Sequence, residues 1–159
     1  MRISKYVSLS EVIKSNTATR KGISNMPNDS QIDRITTLAT LVFDPLREWV
    51  GGPVKINSGF RSEALNKAIG GSNTSQHCAN NGAAFDIDDT FGHATNSQMF
   101  HYIKDMMSFD QLIWEFGDDE NPDWVHVSYV SGGKNRMEVL QAKKNSNNRT
   151  YYVKYDSKN

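Results

Sequence analysis

The sequence predicts an α+β fold: a small, mainly antiparallel sheet with flanking helices. Three observations lead to the class. Apolar residues recur at helical spacing through residues 30 to 50, and short runs of strand character crowd the second half of the chain. Helical patterns also come mostly before the strand-like ones instead of alternating with them. At 159 residues, with no internal repeat and no long low-complexity linker, a single domain over 1 to 159 is expected.

Ser8 and Glu11 have capping-box spacing and open a short helix to about Lys14. The stretch NTATRKGISNMPNDS that follows reads as a long surface connection. From Ser30 to about Val50, the residues Ile32, Ile35, Leu38, Leu41, Val42, Leu46 and Trp49 make one apolar stripe. Asp29 or Ser30 is the expected cap, Pro45 is expected to kink this helix, and Gly51 and Gly52 to stop it. VKIN (54 to 57) reads as a strand and SEALNKAIG (62 to 70) as a helix ended by glycine. In AAFDID (83 to 88), a strand would set Phe85 and Ile87 on one face and Ala84, Asp86 and Asp88 on the other. TNSQMFHYIKDMM (95 to 107) reads as an amphipathic helix. QLIWEF (111 to 116), WVHVSYV (124 to 130), MEVLQAK (137 to 143) and TYYVKY (150 to 155) read as strands, with the polar KKNSNNRT (143 to 150) as an exposed turn.

Composition narrows the function. Lys plus Arg equals Asp plus Glu at 18 each, and basic residues do not cluster, so nucleic acid is not an expected partner. Cys78 is the only cysteine, which rules out an intramolecular disulfide and a thiolate-rich zinc site; any metal must be held by nitrogen and oxygen. The opening MRISKYVSLSEVIKSN has no apolar run of signal-peptide length, and nothing approaches the roughly 18 apolar residues of a membrane span. A protein without stable membrane association, made in the cytoplasm without a signal peptide, is the expectation.

The chemistry-bearing residues start with SQHCANNGAAFDI, where His77 and Asp86 stand nine positions apart around a turn of small residues. In PDWVHVSYV, a period of two puts Trp124, His126 and Ser128 opposite Val125, Val127 and Tyr129. If His77, Asp86 and His126 converge, they form the two-imidazole, one-carboxylate set with which catalytic zinc leaves a fourth position to water. His93, in a turn-like segment, and His101, on a helix, read as ordinary surface or helix-face residues. A base must then take the water's proton. Asp123, three residues before His126, is the nearest acid in sequence, although alternation puts it on the opposite face unless Pro122 or a bulge turns it inward. Glu115, Asp119 and Glu120 are the alternatives. Arg61 in SGFRS can grip a substrate carboxylate with two parallel hydrogen bonds, and Ser75 can add a hydroxyl contact or simply bond its own turn.

Taken in order, SGFRS, GGSNTSQH, GAAFDID and DWVHVS resemble the zinc peptidases of bacterial cell-wall peptides. These are the D-Ala-D-Ala carboxypeptidases, the D,D-dipeptidases and the L-alanyl-D-glutamate endopeptidases of phage endolysins. The family pattern is Ser-x-His, Gly-x-Ala-x-Asp, then Asp or Glu, two further residues and His; Ser75, His77, Gly82, Ala84, Asp86, Asp123 and His126 fill it here. The likeness implies Zn2+ on His77, Asp86 and His126, Asp123 as catalytic base, and Arg61 and Ser75 on substrate. It also implies an α+β fold shared with the hedgehog signalling domain, a peptidoglycan stem peptide as partner and a monomeric enzyme. Such an enzyme would reach the wall after release from the host cell or as part of a virion. Aspartate at the base position leans toward the phage endopeptidases. A D-alanyl-D-alanine carboxypeptidase and a non-catalytic, metal-containing wall-binding module are the alternatives. The sequence departs from the pattern at Cys78-Ala79-Asn80-Asn81, four residues where the family usually has two, which makes Asp88 a fallback ligand. A two-residue insertion keeps strand parity and costs well under about 1 kcal/mol of loop closure.

Overall fold

The computed structural model describes residues 1 to 156. Its strands are β1 (Lys55–Ser58), β2 (Ala83–Asp88), β3 (Gln111–Glu115), β4 (Trp124–Tyr129), β5 (Glu138–Lys144) and β6 (Thr150–Lys154). They form one sheet in the order β1-β2-β4-β3-β5-β6. The β3–β5 pairing is parallel and the other pairings are antiparallel, which is the mainly antiparallel sheet expected. The helices are α1 (Leu9–Ile13), α2 (Asn16–Lys21), α3 (Asp29–Leu38), α4 (Asp44–Val50), α5 (Glu63–Ala68) and α6 (Asn96–Met106). No helix among the described residues is long and apolar enough to cross a membrane.

Register explains where the core sits. Phe85 pairs with Val127 and Leu112 with the same Val127, while Ile87 and Trp114 both face Val125, so these six side chains share one face. All are buried, and they join Ile35, Leu38, Val42, Phe43, Leu46, Met99, Phe100 and Ile103 from the helical segments in one apolar cluster. The other face carries Asp86 opposite His126, His126 opposite Ile113, and Glu115 opposite Trp124. One face is therefore committed to the core and the other is left for chemistry.

Three local expectations change. The surface connection after α1 contains α2, which Ser15 caps by accepting the Ala18 N–H and which Gly22 ends in the left-handed region. The cap of α3 is Asn28, in a capping box with Gln31, and not Asp29 or Ser30. Pro45 does not simply kink a long helix: a π-helical turn, Ala39–Phe43, precedes it, with the Asp44 N–H donating to the Ala39 carbonyl, and α4 restarts with Pro45 in its first turn. Proline lacks an N–H and crowds the carbonyl four residues back, and the wider turn accommodates both defects. The extra residue rotates the apolar stripe, so that Phe43 is buried while Leu41 and Trp49 are exposed.

Gly82, just before β2, sits at φ +92, and a Cβ there would meet the Tyr129 carbonyl oxygen at 2.7 Å. Gly82→Ala is expected to destabilise the fold by about 1–3 kcal/mol, read as a lower urea midpoint; an unchanged midpoint would show that this backbone relaxes freely.

Candidate metal centre

His77 lies in a 3-10 turn, Gln76–Cys78, whose cap is Ser75; the Ser75 hydroxyl accepts the His77 N–H at 3.3 Å. His77 Nδ1 is 2.8 Å from the Gly59 carbonyl oxygen. A carbonyl can only accept, so Nδ1 carries a proton and Nε2 is the nitrogen left to face a ligand. Nε2 points to β2 and is 3.3 Å from Asp86 Oδ1. From the neighbouring strand, His126 Nδ1 is 3.0 Å from the same oxygen. The donor atoms of His77, Asp86 and His126 all lie within 4.8 Å of one another.

This set fits a divalent ion. Metal–ligand bonds of about 2.0–2.1 Å in a tetrahedron place ligand atoms a little over 3 Å apart, which matches the 3.3 and 3.0 Å separations of the two imidazole nitrogens from Asp86 Oδ1. Both histidines are buried, and His126 Nε2 has no hydrogen-bond partner. Burial pushes the Asp86 carboxyl up, but the charges and hydrogen bonds of His77 and His126 outweigh it and hold the group well below the ordinary carboxylate range. Asp86 is thus an anion ready to ligate. Asp88, the fallback ligand, accepts hydrogen bonds from Asn96 and Thr90 and lies outside the group. His93 is exposed, and His101 packs against Trp114 and Tyr155.

Arg61 reaches the centre from the segment between β1 and α5. Its backbone N–H donates to the His77 carbonyl at 2.9 Å, and its Nη2 is 3.5 Å from the Ser75 hydroxyl. Its Nε is buried and has no partner among the described residues, so the guanidinium retains an unused donor. Burial pulls its pKa down, and the Asp86 charge opposes that. Arg61, Ser75, His77, Asp86 and His126 line one cleft.

The acids separate clearly. Glu115 lines this cleft on the same face as His126 and is only 7% exposed. Burial pushes its carboxyl up to about 7; His126 opposes the shift and Asp86 adds to it. Asp123 is exposed at the head of β4 and is not among the cleft-lining residues; its backbone N–H donates to the Glu115 carbonyl at 2.9 Å. Asp119 and Glu120 are exposed in the loop beyond β3.

Two features had no readable sequence signal. Asp110, 3% exposed, accepts Gln76 Nε2 at 2.9 Å together with the Arg136 N–H and guanidinium, which ties the residue before His77 to the start of β5. The CANN segment docks on α3: Gln31 donates to the Cys78 carbonyl and the Asn80 side chain, and Arg34 donates to the Ala79 carbonyl. The two additional residues are absorbed there, away from the ligand atoms.

The Peptidase M15 family model matches residues 5–128, a span holding His77, Asp86 and His126 together with Arg61, Ser75, Glu115 and Asp123. No curated protein matches the chain. With well over half of its length matched, the chain belongs to the Peptidase M15 family.

Proposed function

We propose that the protein is a zinc peptidase that hydrolyses the stem peptides of bacterial peptidoglycan, of the L-alanyl-D-glutamate endopeptidase type found in phage and prophage lysis enzymes. The observation that carries this reading is the convergence of His77 Nε2, Asp86 Oδ1 and His126 Nδ1 on the floor of a cleft. Zinc held by those three residues supplies Lewis acidity toward the scissile carbonyl and the attacking water. Arg61 binds a substrate carboxylate, for which its unpaired Nε and its nearness to Ser75 suit it. Stem peptides are rich in carboxylates, which makes this anchor appropriate.

Proton transfer we assign to Glu115 and not to Asp123. A base has to reach the proton that it removes. Glu115 is on the ligand face and in the cleft, whereas Asp123 fits the motif spacing but stands exposed outside the lining. A carboxyl group with a pKa near the working pH also exchanges protons efficiently in both directions, from the water and onto the leaving amine.

Digestion of purified peptidoglycan, with and without a chelator and followed by mass spectrometry, is expected to give chelator-sensitive cleavage between L-Ala and D-Glu. Free D-Ala would reassign the enzyme as a carboxypeptidase, and the absence of any chelator-sensitive product would leave a wall-binding module. Glu115→Gln is expected to retain zinc and to lose 10²–10⁴ in kcat, while Asp123→Asn stays within a few-fold of wild type; the reverse pattern returns the base to Asp123. In the metal-free protein, Glu115 keeps its proton up to about 7 when folded, against an ordinary value of 4.5. Its contribution to stability is therefore full below about 4.5 and is lost as pH rises through about 7, a change on the order of a few kcal/mol. Urea unfolding at pH 5 and pH 8 should show the wild type losing more stability than Glu115→Gln over that interval, and parallel losses would contradict the assignment.

A further inference from the structure

The family match ends at residue 128, but the cleft continues beyond it: Leu140, Thr150 and Tyr152, from β5 and β6, also line it. Register fixes their orientation. Glu115 pairs with Trp124 and with Ala142, and Ala142 pairs with Tyr152, so these residues form one cross-strand row on the ligand face. Ala142, between Glu115 and Tyr152, is small and buried. Two strand spacings, about 10 Å, separate the backbones of Glu115 and Tyr152, with only the Ala142 methyl group between them on this face. That is room for an extended peptide segment.

The hairpin that carries Tyr152 is well anchored. The Met137 and Glu138 N–H groups donate to the Phe109 and Asp110 carbonyls, and the Arg136 guanidinium grips the Asp110 carboxylate at 2.8 Å. Tyr152 is 54% exposed, and among the described residues nothing holds its hydroxyl. Burial, then the charges of Glu115 and Asp86, raise its pKa, so the phenol keeps its proton at neutral pH and acts as a donor. Arg61 follows β1, at the opposite end of the strand order.

We propose that Tyr152 is a substrate-binding residue whose hydroxyl donates a hydrogen bond to a carbonyl or carboxylate oxygen of the bound stem peptide, at the edge of the cleft opposite Arg61. This rests on the peptidase reading above. The test uses the zinc-loaded full chain and a soluble stem tetrapeptide containing the L-Ala-D-Glu bond, with affinity measured by calorimetry and cleavage measured in parallel. Tyr152→Phe keeps the ring and removes the donor; it is expected to weaken Kd and KM roughly three- to tenfold, with zinc content and Tm unchanged. Tyr151→Phe, on the other face of β6, is the control and should behave as wild type. Wild-type affinity in Tyr152→Phe, or a loss of zinc or Tm, overturns the proposal. A wild type that binds the peptide without cutting it overturns the peptidase reading while the affinity ratio still decides Tyr152. A wild type that does not bind the peptide overturns both.

Discussion

Asp86 is the constraint around which the site is organised. A half-buried carboxylate beside two imidazoles is tolerable because both nitrogens approach the same oxygen, at 3.3 and 3.0 Å. The sheet enforces that meeting. Asp86 and His126 are directly opposite in the β2–β4 register, and their neighbours Phe85, Ile87, Val125 and Val127 are buried on the other face. A slip of one residue would turn Asp86 into the core and Phe85 into the cleft. Each large apolar side chain in that row contributes about 1.5–3 kcal/mol by burial. The meeting of Asp86 and His126 is therefore held in place by the hydrophobic core.

His77 has no such strand beneath it and depends on side-chain and backbone ties. Gly59 fixes the ring tautomer, the Arg61 N–H holds the His77 carbonyl, and Asp110 holds Gln76, the preceding residue. The longer turn after His77 would have been a weakness had it been loose. Its hydrogen bonds to Gln31 and Arg34 on α3 join it to the helix that packs on β2. Arg61 and His77 are also coupled, because one backbone hydrogen bond links them.

What the sequence made legible was local. The alternation in AAFDID and WVHVSY, the Ser8–Glu11 capping box and the amphipathic α6 depend on neighbours a few residues apart, and each stands where expected. The α2 segment was missed because its six residues carry only one buried side chain, Ala18, and so no apolar stripe; the Ser15 cap and Gly22 were the signals available. The parallel β3–β5 pair and the Asp110 tie are non-local and leave no periodicity to read. Asp123 shows how two signals can compete. Motif spacing favoured it, strand parity opposed it, and the structure puts Glu115 in the cleft while leaving Asp123 exposed.

Two carboxyl groups on one sheet face are driven in opposite directions, and that divergence separates their roles. Asp86, flanked by imidazoles, is held ionised, whereas Glu115, buried and facing the Asp86 charge, is held toward its protonated form. Environments that push paired acids apart are how one site provides both a fixed charge and a group that exchanges protons. The balance at Glu115 is poised, since burial and Asp86 act against His126 and, among the described residues, no side-chain hydrogen bond locks either state. A cation held by His77, Asp86 and His126 would cancel the Asp86 charge and favour ionised Glu115. Metal binding beside one carboxyl would thereby shift the protonation of the other, a coupling that follows from placing Asp86 and Glu115 on the same face of the sheet.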